Sequence, residues 1–141
     1  MKFADFKLLS VTFTLNKDFK DKEKTDSYDP EIAIDYVVEK KKGELVVLLG
    51  VRKIAGNIPY YFEVRAGGLF KFDKLPNNKL LKQFANVNCP AIIFPYLRET
   101  IADLTRRAGF PPLHLDPINF VELSKEIDKN KKTENKKLAS G

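Results

Sequence analysis

The chain holds one cysteine and one histidine, Cys89 and His114, and a thiol beside an imidazole is the smallest set that could run nucleophilic catalysis. The surrounding residues argue against that use. Cys89 precedes Pro90 at a helix entry and reads as a small apolar residue, while His114 follows Leu113 with no acid spaced to orient its ring. Two such residues fall short of a four-ligand zinc site. Gly67 and Gly68 could approach a phosphate, but they sit inside a strand pattern without the lysine and spacing of a phosphate loop, so a bulge or a close backbone contact is the reading. Neither enzyme, metal nor cofactor is predicted. The chemistry that remains is apolar contact. Phe110, Leu113 and Leu115 follow Gly109 on a connector that Pro111 and Pro112 keep extended, a place where another chain's apolar segment could lie.

Helices must position that connector on both sides. Phe94, Leu97, Ile101, Leu104 and Ala108 recur at spacings of three or four and form one apolar stripe, with Arg98, Glu99, Asp103, Arg106 and Arg107 off it. Asn88 is predicted to cap this helix ahead of Pro90, Pro95 to bend it, and Gly109 to close it with positive φ. Asp103 can pair with Arg106 or Arg107. Asp116 and Pro117 are predicted to open a second helix carrying Phe120, Leu123 and Ile127, a stripe too short to be stable alone. On the residues alone, pinning the two helices together is the simpler role for Leu113, Leu115 and Leu123.

Ahead of the helices, the apolar period is two. Leu9, Val11, Phe13 and Leu15 alternate with Ser10, Thr12 and Thr14, predicting a first strand over 8–15. A mixed-charge segment, 16–29, reads as a long mobile loop that Phe19 and Tyr28 anchor at intervals. Ile32, Ile34 and Tyr36 then face one way and Ala33, Asp35 and Val37 the other. A turn at 40–43 leads to the apolar run 45–52, and after another turn at 56–59 a fourth strand places Phe62, Val64 and Ala66 on one face before the glycine pair interrupts it. A short helical stretch around Leu80, Leu81 and Phe84 precedes the long helix. Strands first and helices last predict an α+β domain.

With 141 residues, one domain can bury roughly two thirds of its unfolded surface without disulfides. The expected domain runs over 1–127. Residues 128–141 read as a disordered basic tail, since 124–141 holds six lysines against three acids within a formal net charge of +6. A tail of that kind, with Lys40 to Lys42 and a pI near 9.3, makes nucleic-acid binding the rival reading; the sheet offers only Tyr61 and Arg65 as aromatic and arginine side by side, which argues against it. No signal segment opens the chain and its longest apolar run, 45–51, is too short to span a bilayer, so a cytoplasmic protein is expected.

Residues 88–120 (NCPAIIFPYLRETIADLTRRAGFPPLHLDPINF), preceded by FEVRAGGLFKF at 62–72 and DPEIAID at 29–35, resemble the bacterial export chaperone SecB and its relatives across 3–127. CP, FPY, RE, a basic pair before Gly109, FPPL and DPINF come in the family's order and spacing. The resemblance implies a four-stranded antiparallel sheet, a long helix, a Pro-rich crossover connector and a second helix, assembled as a dimer of dimers. It implies a holdase that uses no ATP and keeps non-native polypeptides, such as preproteins, competent for Sec-dependent export. Clients would meet Tyr28, Ile34, Tyr36, Phe110, Leu113, Leu115, Phe120, Leu123 and Ile127, while Phe62, Val64, Ala66, Phe94, Leu97, Ile101 and Leu104 would face other subunits of a homotetramer. Export members hand clients to the motor SecA through acidic positions on the outer sheet face. Here Ser10 and Thr14 stand at two of them and only Glu63 keeps its charge, which is compatible with the other known role of SecB relatives, holding the antitoxin of a toxin–antitoxin system.

Overall fold

The computed structural model describes residues 1–140, with side chains described as far as residue 130. Four strands, β1 (Lys2–Leu15), β2 (Glu31–Glu39), β3 (Glu44–Lys53) and β4 (Tyr60–Lys71), form one antiparallel sheet in the order β1-β4-β3-β2. Three helices follow: α1 (Asn78–Gln83), α2 (Cys89–Arg107) and α3 (Phe120–Ser140). α2 lies against one face of the sheet, and Leu81 of α1 and Phe120 of α3 join the same core. Leu45, Val47, Leu49 and Val51 of β3, with Phe62, Val64, Ala66 and Phe70 of β4, meet Ile93, Phe94, Leu97 and Ile101 of α2 in one buried core. This alternation on β3 and β4 follows from the period-two pleat, and that on α2 from the 3.6-residue turn.

Placing β1 and β2 on opposite edges sets a connection problem. Residues 16–30 must cross the ends of β4 and β3, about 14 Å at the usual strand spacing. The loop does so tied to the β3–β4 turn rather than free. Asn57 donates from Nδ2 to the carbonyls of Lys20 and Lys24 (both 3.1 Å), accepts from Lys20 N–H at 2.9 Å, and its own N–H reaches the Asp26 carboxylate. Asn16 adds a bond from Nδ2 to the Ile58 carbonyl, 2.8 Å. Where mixed charge suggested mobility, side-chain amides satisfy the loop's backbone and hold it.

The glycine pair does not interrupt β4, which runs through it. A Cβ on Gly68 would stand 2.8 Å from Ile93 Cδ1, so its absence lets α2 sit close on the sheet. The bulges fall on β1 instead, between Phe3 and Asp5 and between Leu8 and Ser10. The second bulge makes Leu9 the extra residue and places it over Gly67 on the outer face, 3.5 Å from where a Cβ there would lie. Leu8, Val11, Phe13 and Leu15 therefore share the helix side, opposite Ala66, Val64, Phe62 and Tyr60. Leu9 belongs to the other face, contrary to simple alternation.

Helix boundaries also differ from expectation. Asn88 has helical angles (φ −68°, ψ −46°) and makes no capping bond, because a π-helical turn at Phe84–Asn88 joins α1 to α2 without a break. Asn77 is the cap, with extended angles and its side chain accepting Leu80 N–H at 2.9 Å. Asp116 does not open α3; Asn119 does, its carbonyl and side-chain oxygen accepting Leu123 N–H and Glu122 N–H at 3.0 and 3.2 Å. Helical backbone in α3 continues past Ile127 to Ser140, through the segment whose low apolar content suggested disorder. No proline or glycine lies between Phe120 and Ser140, and Lys, Glu and Leu are good helix formers.

Candidate client-binding strip

The connector is fastened at its start by backbone geometry alone. Gly109 takes φ 94°, and the N–H groups of Gly109 and Phe110 donate to the carbonyls of Arg106 and Thr105 at 3.1 and 3.0 Å. This is the Schellman closure of α2, open to a glycine without strain. Thr105 then adds a bond that sequence reading missed. Its buried hydroxyl donates back to the Ala102 or Ile101 carbonyl and accepts Leu113 N–H at 2.9 Å. The available signal was a hydroxyl four residues after Ile101, on the apolar stripe, where a buried polar group must find a partner.

That fixture presents Phe110 to an aromatic group. Its ring centroid lies 4.8 Å from Tyr60, which also meets Phe13 at 5.3 Å and Tyr28 at 5.8 Å. Burial pushes the Tyr60 phenol up to about 12, with Tyr28 adding to the shift, so the Tyr60 ring stays neutral near pH 7. The loop bonds of Asn57 thus have a consequence for the site, because they hold the segment that delivers Tyr28. Tyr28 and Phe110 are brought together through Tyr60, each partly exposed.

Partly exposed apolar side chains also lie on β2, the connector and α3. Ile34 and Tyr36, with Ile32 and Val38, pack partly exposed against the core, as do Leu113 and Leu123, and Ile127 is half-buried farther along α3. Two expected client residues differ. Leu115 and Phe120 are each 4% exposed; Phe120 meets Phe94 edge-on at 6.0 Å, so these two side chains pin the connector and α3 to α2. They leave little surface for a client to cover. The expected intersubunit residues need a similar correction: Phe62, Val64, Ala66, Phe94, Leu97 and Ile101 are buried within the chain itself, and Leu104 is partly so. A side chain already covered loses nothing more on association. The open apolar surface on the helix side belongs to β1 instead, where Leu8, Val11 and Leu15 are 47%, 41% and 56% exposed.

Cys89 and His114 are far apart. Cys89 is fully buried at the start of α2, 3.9 Å from the Met1 sulfur, and burial pushes its thiol up to about 12, away from nucleophilic chemistry. His114 shares a surface hollow with Glu99, Asp103 and Arg106, at least ten residues along the helix, about 15 Å at its rise per residue. Among the described residues, no three His, Cys, Asp or Glu side chains converge as metal ligands, and no helix is long and apolar enough to cross a membrane. Asp103 pairs with both Arg106 and Arg107. Glu63 lies on the outer sheet face between Thr12 and Arg52, near Glu31 and Arg65.

A family model described as preprotein translocase subunit SecB matches residues 10–131. The protein-export protein SecB of Acidithiobacillus ferrooxidans is 43% identical over 90 residues, 62% of this chain and 60% of that protein. SecB 2 of Polaromonas naphthalenivorans is 36% identical over 105 residues, 72% of this chain and 64% of that one. The chain spans less than two thirds of the length of these curated relatives. Among solved structures, a SecB-like chaperone of Mycobacterium tuberculosis in complex with a ChAD peptide from an antitoxin is similar in fold, with a TM-score of 0.68 at 21% identity over 83% of this chain and 90% of that one. The family match takes in the sheet from the second bulge of β1 onward, the connector and the described start of α3, and on that extent the chain belongs to the SecB family.

Proposed function

We propose that this chain is an ATP-independent holdase that keeps non-native polypeptides, preproteins among them, in a state competent for Sec-dependent export. One observation carries the reading: Phe110 and Leu113 are fixed by hydrogen bonds yet partly exposed, Phe110 meets Tyr28 through Tyr60, and Ile34 and Tyr36 of β2 are likewise half-open against the same core. Burying one client side chain of Leu or Phe size on such a strip is worth about 1.5–3 kcal/mol, independent of direction, so many sequences bind and none folds there. Neither catalysis nor a cofactor is needed, and the action is cytoplasmic.

Assembly belongs to the same reading. A second copy covering the β1 edge would bury Leu8, Val11 and Leu15. A homotetramer built as a dimer of dimers then sets several strips within reach of one long client, which gains by multivalency. Glu63 is the remaining acidic position for SecA contact, and the uncharged Ser10 and Thr14 beside it support the second destination, an antitoxin as client.

The test is light scattering of a urea-unfolded, aggregation-prone protein diluted into buffer with the chaperone. Phe110→Asp and Leu113→Asp should each weaken suppression of aggregation by about tenfold, a charge now standing in an apolar contact, with the far-UV spectrum and oligomer size unchanged. Full holding by both folded variants would overturn the reading. Co-purification with SecA or with an antitoxin separates the two destinations.

A further inference from the structure

The apolar row of β2 runs directly into a cluster of lysines. Ile32, Ile34, Tyr36 and Val38 are each partly exposed, and two residues later Lys40, Lys41 and Lys42 form a tight turn closed by Gly43 at φ 64°. The Gly43 carbonyl accepts Phe72 N–H at 3.0 Å, which seats the turn against the end of β4. There Lys71 lies beside Lys2 of β1 in register, and Lys74 follows shortly after. Three carboxylates, Glu39, Glu44 and Asp73, share this end with the six lysines, leaving an excess of three positive charges. Residues 124–141 supply the other three of the chain's +6, so the remaining charges sum to zero. All six lysines are exposed, and none forms an ion pair among the described residues. The opposite end, at 16–29, holds four lysines against five acids.

We infer that the lysine turn selects clients, favouring apolar segments flanked by acidic residues; this rests on the holdase reading. An extended polypeptide advances about 3.3 Å per residue, so a segment with an apolar side chain against Tyr36 has its residues four or five positions on at the lysines. β2 is a sheet edge, with backbone groups open along its outer side to an extended chain. Lysines are point charges without a planar fork, so the preference is for net charge rather than for a sequence. The occupant is an acidic peptide rather than a nucleic acid, because among the described residues no aromatic ring stands free beside the lysines for a base to stack on. Phe72, next to Lys71, is half-buried against Phe84 at 5.7 Å, and Phe3, next to Lys2, is half-buried against Phe70 at 5.0 Å.

The experiment measures binding of three labelled peptides to the full chain. They share one apolar seven-residue stretch and carry four Glu, four Ser or four Lys, placed at either end in paired versions. The Glu peptide should bind about tenfold more tightly than the Lys peptide at low salt, with the Ser peptide between, since exposed charges steer and bias but are screened beyond about 10 Å at 0.1 M salt. In 0.5 M sodium chloride, and in the triple variant K40S/K41S/K42S, the ratio should fall toward one while the Ser peptide binds as before. Equal binding of the Glu and Lys peptides to the unaltered chain overturns the inference and leaves the holdase reading standing. A ratio that survives the triple variant removes the turn as its source. No binding of any peptide sinks both readings, and an RNA 20-mer that binds more tightly than the Glu peptide would reassign the lysines to nucleic acid.

Discussion

The sheet's middle and its β2 margin are built from the same kinds of side chain, yet one is sealed and the other left half-open. Over β3 and β4, Leu97 and Ile101 of α2 drop onto Val47, Val64 and Ala66, and Gly68 removes even a methyl group so that Ile93 can come closer. Along β2, Ile34 and Tyr36 stay partly exposed where the short π-helical turn Phe84–Asn88 meets the strand, and the connector that carries Phe110 and Leu113 holds two prolines that prevent it from coiling into a helix. Apolar content therefore does not distinguish core from client strip. The distance at which a covering element is held does, and here that distance is set by the Gly109 closure and by the Thr105 hydroxyl.

Leu97→Ala tests the sealed side and should have the largest effect on stability. A cavity among β3, β4 and α2 costs about 2–5 kcal/mol, read as a lower denaturation midpoint in urea. Client holding by the folded fraction should stay near that of the unaltered chain; a loss of holding without a loss of stability would erase the distinction between the two regions. Thr105→Val keeps the shape and removes the acceptor for Leu113 N–H, at a cost of about 1–3 kcal/mol. Unlike Leu97→Ala, it should also raise hydrogen-exchange rates across the connector and weaken holding, because it loosens the fixture rather than the core. Equal exchange rates at Leu113 in both proteins would show that the Schellman closure suffices alone.

The smallest effect concerns Asp103. Hydrogen bonds from Arg106 and then Arg107 hold its carboxyl below the usual carboxylate range. A carboxyl depressed in the folded state contributes stability above its unfolded pKa, near 3.9, and that contribution is lost as pH falls through the folded value. Asp103→Asn should therefore lower the melting temperature slightly at pH 7, and less at pH 3. As an exposed pair it should also fade with salt. A pH-independent difference would assign the effect to helix propensity instead.

Much of this was legible one residue at a time. The alternation on β2 and β4, the stripe of α2 and the Gly109 stop each follow from a local period or a backbone requirement, and they emerged with their faces correct, whereas the unbroken apolar run of β3 suggested cover on both faces and the structure buries only one. The face of Leu9 did not, because a bulge is an agreement between two strands and leaves no mark on the period of one. Asn88, Asp116 and Asn119 are all competent caps by composition. Which of them serves depends on where the chain must bend, and the π-helical turn at Phe84–Asn88 moved the start of the helix to Asn77.

By itself, the sequence determined which side chains are apolar, where the backbone must turn and that strands precede helices, since these follow from side-chain chemistry and local sterics. Only the tertiary structure decided which apolar residues are used up. Leu115 and Phe120 look no different in sequence from Phe110 and Leu113, yet the first pair is covered and the second is half-open. Burial depends on the neighbours that packing brings from distant parts of the chain, and no local pattern encodes how much of a side chain those neighbours leave to water.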